Sequence, residues 1–239
     1  MAGLYLHVPF CGSICSYCHF ARTADHDAGL RRRVVAATVN ELALRRERCE
    51  VLAAGRRPLR SAYIGGGTPS QLEPELMETL LAGTVGELPT APDLELTAEA
   101  NPESLTPDLA RTWRAAGIAR VSLGVQSLDP RVLALLGRRC DPATARRALD
   151  TACHIFDRVS ADVIIGPGLA RARLLAELDE ITARGVEHLS LYILELHEGT
   201  PLARAVAAGT LALPPDAETE ALYLACVEHL AGCGLAQYE

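Results

Sequence analysis

Short apolar runs alternate with longer amphipathic stretches along the whole sequence. Several runs are apolar on both faces, as expected of parallel strands that are covered by helices, so they predict β-strands. The predicted strands are 3–8, 61–65, 94–99, 120–125, 159–165 and 188–194. Six strand–helix units in series predict an α/β fold with a parallel sheet, either coiled as a partial barrel or doubly wound.

The stretches between these runs carry the start and stop signals of helices. Thr106 and Pro107 fit an N-cap followed by the first helical residue, and Gly117 fits the end of the same helix. Other helices are predicted to begin at Asp129 and Asp141, to end at Gly185 and to cover about 28–52 and 216–231. The apolar face of the helix over 28–52 is expected to hold Val35, Val39, Leu42 and Cys49.

The length of 239 residues favours one domain with one sizeable core. We expect residues 1–212 to form the barrel-like part of this domain. Residues 213–239 are then the start of a C-terminal region that is incomplete, because 234–239 (GLAQYE) have the pattern of the beginning of a further strand.

Composition narrows the possible partners and compartment. A formal net charge of −7 argues against non-specific nucleic-acid binding, which needs a basic face. No run of 18 apolar residues occurs, so we expect no transmembrane segment. The N-terminus lacks the pattern of a signal peptide, which favours the cytoplasm. The eight cysteines are then expected to be thiols or metal ligands rather than disulfides.

Chemically distinctive residues fall where the predicted strands end. They are the cysteine loop 11–18 after the first strand, 65–69 (GGGTP) after the second, Glu99 and Asn101 at the third, Gln126 at the fourth and Asp162 within or near the end of the fifth. Because the carboxyl ends of parallel strands meet at one edge of a sheet, this placement predicts a single ligand site.

The cysteine loop holds three thiols, Cys11, Cys15 and Cys18, in the spacing C-x3-C-x2-C. Thiolates are soft ligands that suit iron–sulfur clusters, zinc or copper(I). A structural zinc site and an electron-transfer 4Fe–4S cluster both take four protein ligands. Three thiolates on a 4Fe–4S cluster leave one iron open for another molecule. Zinc with His7 or His19 as the fourth ligand stays open as the alternative.

The spacing of the cysteines after a first strand resembles that of the radical S-adenosylmethionine superfamily. A longer ordered set of strings resembles one branch of it, which holds the oxygen-independent coproporphyrinogen III oxidases and the heme chaperones of the HemW type. These strings are YLHVPFCGSICSYCHF, GGGTP, EANPES, RVSLGVQSLDP, LLGRR, ADVIIG and HLSLYIL. The resemblance covers nearly the whole chain and implies a partial (β/α)6 TIM-like barrel of the radical SAM type.

The resemblance also implies the residues of the site. Cys11, Cys15 and Cys18 would hold a 4Fe–4S cluster, whose open iron takes S-adenosylmethionine. The residues expected to bind S-adenosylmethionine are Tyr5, Tyr17, Gly66, Gly67, Thr68, Glu99, Gln126, Arg138 and Asp162. Glycines allow the backbone to approach a ligand closely, and an arginine can hold a carboxylate through two parallel hydrogen bonds.

Within this branch, one position separates the two functions. The oxidases carry a further cysteine two residues after the third, whereas this chain has Phe20 there, as HemW-like proteins do. The resemblance therefore implies a chaperone that binds heme as cargo and delivers it to acceptor proteins such as respiratory enzymes. The alternative is an oxidase that decarboxylates propionates of coproporphyrinogen III to vinyl groups. A third hypothesis is a catalytically silent domain that only binds a partner.

Overall fold

The computed structural model describes residues 2–46, 48 and 57–238, in which six strands alternate with eight α-helices. The strands are β1 (Ala2–Val8), β2 (Leu59–Gly66), β3 (Thr90–Ala100), β4 (Arg120–Gln126), β5 (Arg158–Ile165) and β6 (His188–Ile193). The helices are α1 (Ala28–Arg46), α2 (Pro74–Gly83), α3 (Pro107–Ala115), α4 (Pro130–Leu135), α5 (Pro142–Ile155), α6 (Arg171–Thr182), α7 (Pro201–Ala207) and α8 (Asp216–Gly232).

All six predicted strands are present, and the predicted helices are confirmed where they can be compared. Helix α1 extends to Arg46, and the part of the prediction beyond it, which includes Cys49, lies mostly outside the described residues. The predicted N-caps also form. The Thr106 and Asp141 side chains accept hydrogen bonds from the backbone N–H groups of Leu109 and Thr144, at 3.1 and 2.7 Å.

The strands follow one another in the sheet in the order of the sequence, β1-β2-β3-β4-β5-β6. Strand β1 pairs in parallel with β2, β2 with β3, and β5 with β6. A doubly wound sheet would reverse its strand order at a switch point, so that alternative is wrong for this chain. Sequential order is the order of a (β/α) barrel sheet, and the predicted partial (β/α)6 fold class is confirmed.

The first of two compact units comprises Met1–Gly12, Phe20–Ala100 and Ser104–Val121. Its largest fully buried side chains lie just before the cysteine loop, on β2, on α2, on α3 and directly after α3. They are Phe10, Ile64, Met77, Leu80, Trp113 and Ile118. Helices α2 and α3 supply three of these side chains, and smaller buried residues of the predicted strands, such as Leu6, Val8 and Leu96, complete the core of this unit.

The second unit comprises Ser13–His19, Asn101–Glu103 and Ser122–Glu239. Its largest fully buried side chains are Leu123, Leu128, Leu133, Leu136, Leu149 and Ile165. The apolar stripe predicted for α6 is confirmed, because Leu174, Leu178 and Ile181 are all fully buried. The prediction that residues 1–239 make one domain, with a barrel part ending at about 212, stays a prediction.

The end of the described chain differs from the sequence expectation. Residues 235–238 form no strand; they follow the turn at Gly234, and the Tyr238 hydroxyl lies 2.6 Å from Nε2 of His188 at the start of β6. Within the described residues, none of the helices combines the length and the apolar character needed to span a lipid bilayer.

Candidate functional site

The first thiol, Cys11, lies against the glycine loop, residues 65–69, in the first unit. Its side chain is buried, and the Thr68 hydroxyl lies 3.7 Å from its sulfur. The Gly67 N–H donates to the Val8 carbonyl at 2.8 Å, so the loop continues the contact between β1 and β2. A Cβ on Gly67 would lie 2.7 Å from the carbonyl carbon of Pro9, which leaves room only for glycine.

After the cysteine loop the chain returns to the end of β1, where Thr23 pairs with the residues around Phe10. The Cys11 N–H donates to the Thr23 carbonyl at 2.9 Å, and the Thr23 N–H donates to the Pro9 carbonyl at 2.7 Å. Phe10 and Thr23 thus form a parallel bridge. The two ends of the loop that carries the thiols are held together by the backbone.

The second glycine of the loop has a left-handed backbone. Gly66 has a φ of +120°, and a Cβ there would lie 2.7 Å from Cε1 of His7. Its N–H donates to the Glu99 carboxylate at 3.1 Å. The predicted residues Gly66, Gly67 and Thr68 are therefore brought together with Cys11, and Glu99 supports the loop from β3.

Glu99 belongs to a polar row that crosses three strands. The Tyr63 hydroxyl donates to its carboxylate at 2.9 Å, and the Tyr63 ring stacks on Tyr5 of β1 with centroids 6.2 Å apart. Burial raises the pKa of Glu99, although the hydrogen bonds from Tyr63 and Gly66 oppose that rise. Burial also raises the pKa of Tyr5, and the nearby Glu99 carboxylate adds to it.

Both ring nitrogens of His7 are engaged in this row. Its Nε2 lies 2.7 Å from the Ala21 carbonyl, which can only accept, so Nε2 carries a hydrogen. In the neutral ring Nδ1 then accepts from the Tyr5 hydroxyl at 3.1 Å. Both ring nitrogens of His7 thus have a protein partner, and zinc with His7 or His19 as the fourth ligand stays an untested alternative.

The second unit holds the other two thiols, and Ser16 between them fixes their loop. The Ser16 N–H donates to the Leu136 carbonyl at 3.0 Å and its hydroxyl donates to the Leu135 carbonyl at 2.8 Å. The Ser16 carbonyl accepts from the Leu202 N–H at 2.9 Å. The segment with Cys15 and Cys18 is thus held by the end of α4 and the start of α7.

Arg138 follows α4 directly, and only 4% of its side chain is exposed. Nη1 lies 3.7 Å from the Cys15 sulfur, and Nη2 donates to Asn101 Oδ1 at 3.0 Å and to the Gly124 carbonyl at 2.8 Å. Burial alone would lower the pKa of Arg138, but the negative charges at Cys15 and Glu103 raise it. Its Nε–H is buried and has no hydrogen-bond partner among the described residues.

Gln126 ends β4 in a strained turn. Its φ is +66°, which is uncommon for a residue other than glycine, and the Ser127 N–H donates to the Val125 carbonyl at 2.9 Å. The buried carboxylate of Glu177 on α6 holds this turn. It accepts from the Ser127 hydroxyl at 2.9 Å and from the Leu128 N–H at 2.8 Å.

Tyr17 and Asp162 are the remaining predicted residues. Asp162 lies inside β5, three residues before its end, and accepts from the Ser122 hydroxyl of β4 at 3.2 Å. Burial raises the pKa of Tyr17 well above its usual range, and the negative charge at Cys15 adds to that rise. Tyr17 and Asp162 both belong to the second unit, as do Cys15, Gln126 and Arg138.

Two supporting residues were not predicted from the sequence. Glu103 lies with its carboxylate 3.7 Å from Nη2 of Arg138. Glu177 is 2% exposed although it carries a carboxylate. The signal for Glu177 was its position on the apolar stripe of α6, where it follows Leu174 by three residues and so shares the buried face.

Comparisons with known proteins bear on this arrangement. The model of the Radical SAM superfamily matches residues 5–181. The heme chaperone HemW of Mycobacterium tuberculosis is 42% identical over 241 residues, covering 99% of this chain and 60% of its own length. The mitochondrial radical S-adenosyl methionine domain-containing protein 1 of Mus musculus is 36% identical, covering 100% of this chain and 53% of its own length.

A solved structure gives the same fold. The coproporphyrinogen III oxidase HemN of Escherichia coli, described as a radical SAM enzyme, superposes with a TM-score of 0.83 at 24% identity. The match covers 97% of this chain and 52% of HemN. The chain thus spans between about half and three fifths of the length of these three relatives. The resemblance read from the sequence is confirmed, and the chain belongs to the radical SAM superfamily.

Proposed function

We propose that Cys11, Cys15 and Cys18 hold a 4Fe–4S cluster, as membership of the superfamily implies. None of the three cysteines is in a disulfide, so each can offer the thiolate that such a cluster needs. Two of them have a hydrogen-bond donor close to the sulfur, Thr68 beside Cys11 and Arg138 beside Cys15. Hydrogen bonds to coordinating sulfurs are one way in which proteins tune a cluster.

S-adenosylmethionine is the second group that we propose, and the unpartnered Nε–H of Arg138 is the observation that carries this assignment. A buried guanidinium donor without a partner costs free energy unless a ligand or a water molecule accepts from it. The carboxylate of S-adenosylmethionine is such an acceptor, and Arg138 already lies beside a cluster thiol. We assign the ammonium and ribose groups to Glu99, Gln126 and Asp162, and the adenine to Tyr17.

The glycine loop fits the same ligand. A Cβ on Gly66 or Gly67 would collide with His7 or Pro9, so the loop keeps its backbone uncovered beside Cys11. We propose that Gly66, Gly67 and Thr68 bind the methionine part of S-adenosylmethionine, with Tyr5 at its side. With both groups bound, a cluster reduced by an external one-electron donor would supply an electron to the sulfonium, while the protein's part would be to bind and orient the ligand.

For the whole protein we propose a heme chaperone of the HemW type that takes heme as cargo and gives it to acceptor proteins such as respiratory enzymes. The 42% identity to a HemW protein supports this proposal. Phe20 supports it as well, because the oxidases carry a cysteine there. The oxidase reaction on coproporphyrinogen III is the second candidate, favoured by the fold similarity to HemN. A cytoplasmic location stays a prediction.

One anaerobic experiment on the full reading frame separates the two functions. The reconstituted protein is given coproporphyrinogen III, S-adenosylmethionine and a one-electron reductant, and protoporphyrinogen and 5′-deoxyadenosine are measured by mass spectrometry. In parallel, heme binding is followed by absorption and heme transfer to an apo-acceptor is measured. We expect heme binding and transfer, with no protoporphyrinogen above a Cys15→Ala control.

The outcomes are distinct for each hypothesis. Protoporphyrinogen above the control would overturn the chaperone proposal in favour of the oxidase. A protein with an intact cluster but no affinity for S-adenosylmethionine or heme would overturn both and support a silent, partner-binding domain. Cys153→Ala on α5 is the matched control, because it removes a thiol outside the cysteine loop.

A further inference from the structure

Three metal-ligating side chains meet in the second unit, where the end of α8 lies against α6. They are Asp179 of α6, His229 of α8 and Cys233 at the C-terminal cap of α8. Nε2 of His229 lies 2.6 Å from Oδ1 of Asp179, and the Cys233 sulfur lies 3.9 Å from the same oxygen. One ligand atom from each residue lies within 4.8 Å of the other two.

The local sequence explains why these side chains converge. His229 and Cys233 are four residues apart, so a helix presents them on one face. The helical geometry extends to Cys233, whose N–H donates to the His229 carbonyl at 3.2 Å, and Gly234 ends it with a φ of +86°. The buried residues Cys226 and Leu230 lie on α8, which contacts α6.

We propose that Asp179, His229 and Cys233 form a zinc-binding site on the surface of the second unit, separate from the cysteine loop. Zinc accepts thiolate, imidazole and carboxylate together in tetrahedral geometry. Metal–ligand bonds of about 2.0–2.3 Å separate the donor atoms of a tetrahedral site by about 3.3–3.8 Å. The observed separations lie on both sides of that range, so side-chain shifts of about 1 Å complete the site.

The ligand set selects the metal. Magnesium and calcium take oxygen ligands almost exclusively, and copper(I) prefers sulfur, whereas a mixed sulfur, nitrogen and oxygen set suits zinc. Three protein ligands leave the fourth position to water or to an exchangeable ligand. The site is open to solvent, since 56% of the Asp179 side chain and 28% of the His229 side chain are exposed.

The simpler explanation is a hydrogen bond between His229 and Asp179 beside an unrelated cysteine. That explanation gives Cys233 no part in binding, whereas the zinc site needs it. A zinc ion would also join α8 to α6, and so stabilise the folded second unit when the metal is present.

Metal analysis of the cluster-loaded protein tests the site, because the cluster occupies the three loop cysteines. The protein is treated briefly with a chelator, incubated with excess Zn²⁺, desalted and analysed for zinc and iron. We expect one zinc per chain in the wild type. The variants His229→Gln, Cys233→Ser and Asp179→Asn should each lower the retained zinc at least tenfold and leave the iron content unchanged. His154→Gln and Cys153→Ser are the matched controls and should keep the zinc.

Cobalt(II) tests the thiolate ligand directly. In a Cys11→Ala, Cys15→Ala, Cys18→Ala background, whose folding is checked by circular dichroism, Co²⁺ should give a sulfur-to-cobalt charge-transfer band that Cys233→Ser abolishes. If this background does not fold, the zinc analysis alone decides. Equal zinc content in the wild type and in Cys233→Ser, or no zinc in either, would overturn the proposal and leave the hydrogen bond between His229 and Asp179.

Discussion

The surroundings of Cys11 and those of Cys15 are built in different ways. Around Cys11 the main chain fixes the position of the thiol, through the bridge at Phe10 and two glycines that have no room for a Cβ. Around Cys15 hydrogen bonds at Ser16 hold the loop and the buried Arg138 guanidinium lies beside the sulfur, while in the same unit Glu177 supports the turn of Gln126. The first region should therefore be sensitive to added volume, and the second to lost charge and lost hydrogen bonds.

Gly67→Ala is the sharpest test of the first region and should have the largest effect. The added Cβ would lie 2.7 Å from the Pro9 carbonyl carbon and 3.0 Å from the Cys11 sulfur, so the backbone must move. We expect the unfolding free energy to fall by about 2–3 kcal/mol and iron content to approach that of Cys11→Ala. Urea unfolding and iron and sulfide analysis measure both.

Gly86→Ala is the control in the same unit, because its Cβ would meet nothing closer than the Leu81 carbonyl oxygen at 3.6 Å. It should keep the iron content and the urea midpoint of the wild type. If Gly67→Ala behaved like Gly86→Ala, the steric account of the first region would be wrong.

Glu177→Ala tests the second region and should have the next largest effect. It leaves the Ser127 hydroxyl and the Leu128 N–H buried without their acceptor, so we expect a loss of about 3 kcal/mol in unfolding free energy. Glu177→Gln keeps an acceptor and should lose about 1 kcal/mol. Equal losses for the two variants in urea unfolding would show that the carboxylate does not hold the turn through these bonds.

Arg138→Lys keeps the positive charge but removes the guanidinium, and with it the Nε donor and the two Nη2 hydrogen bonds to Asn101 and Gly124. We expect the dissociation constant of S-adenosylmethionine to rise about tenfold, measured by equilibrium dialysis on the cluster-loaded protein. Arg139→Lys is the matched control, because Arg139 is the next residue in the chain, is exposed and is not assigned to the ligand. An unchanged affinity in Arg138→Lys would remove Arg138 from the proposed site.

The smallest expected effect is a pH dependence in the second unit. Hydrogen bonds from Arg146, at 2.5 and 2.9 Å, and one from Arg184 lower the pKa of Glu180 from 4.5 to about 2. Since the folded-state pKa is the lower one, the stabilisation is complete above pH 4.5 and is lost as the pH falls towards 2. The difference in urea midpoint between the apo wild type and Glu180→Gln should shrink from pH 7 to pH 3; a constant difference would contradict it.

Much of the fold could be predicted because the apolar pattern determines the strands. The exception is the start of β3, which was expected at 94 and begins at Thr90. Residues 90–93 include Pro92 and Asp93, which are rare in strands, so no periodicity marks them. The first helix was placed correctly from its apolar face up to Arg46.

Apart from the family resemblance, the candidate site could be predicted only where a residue type has few alternative roles. The three cysteines and the glycine run do so, because thiols and the absence of a Cβ have few other uses. Glu177 reaches a turn 49 residues earlier in the chain, which no local pattern records. The positive φ of Gln126 was not predicted either, because glycine is the usual sign of that conformation.

The backbone bridge between Phe10 and Thr23 has a consequence for how the length of this protein can vary. The cysteine loop begins and ends at this bridge, so a change of its length between Cys18 and Thr23 need not alter the register of β1. Loop closure becomes only slowly less favourable as a loop grows. We therefore expect an insertion between Cys18 and Thr23, which puts the hydrogen bond from His7 to Ala21 at risk, to lower stability far less than the same insertion within β1.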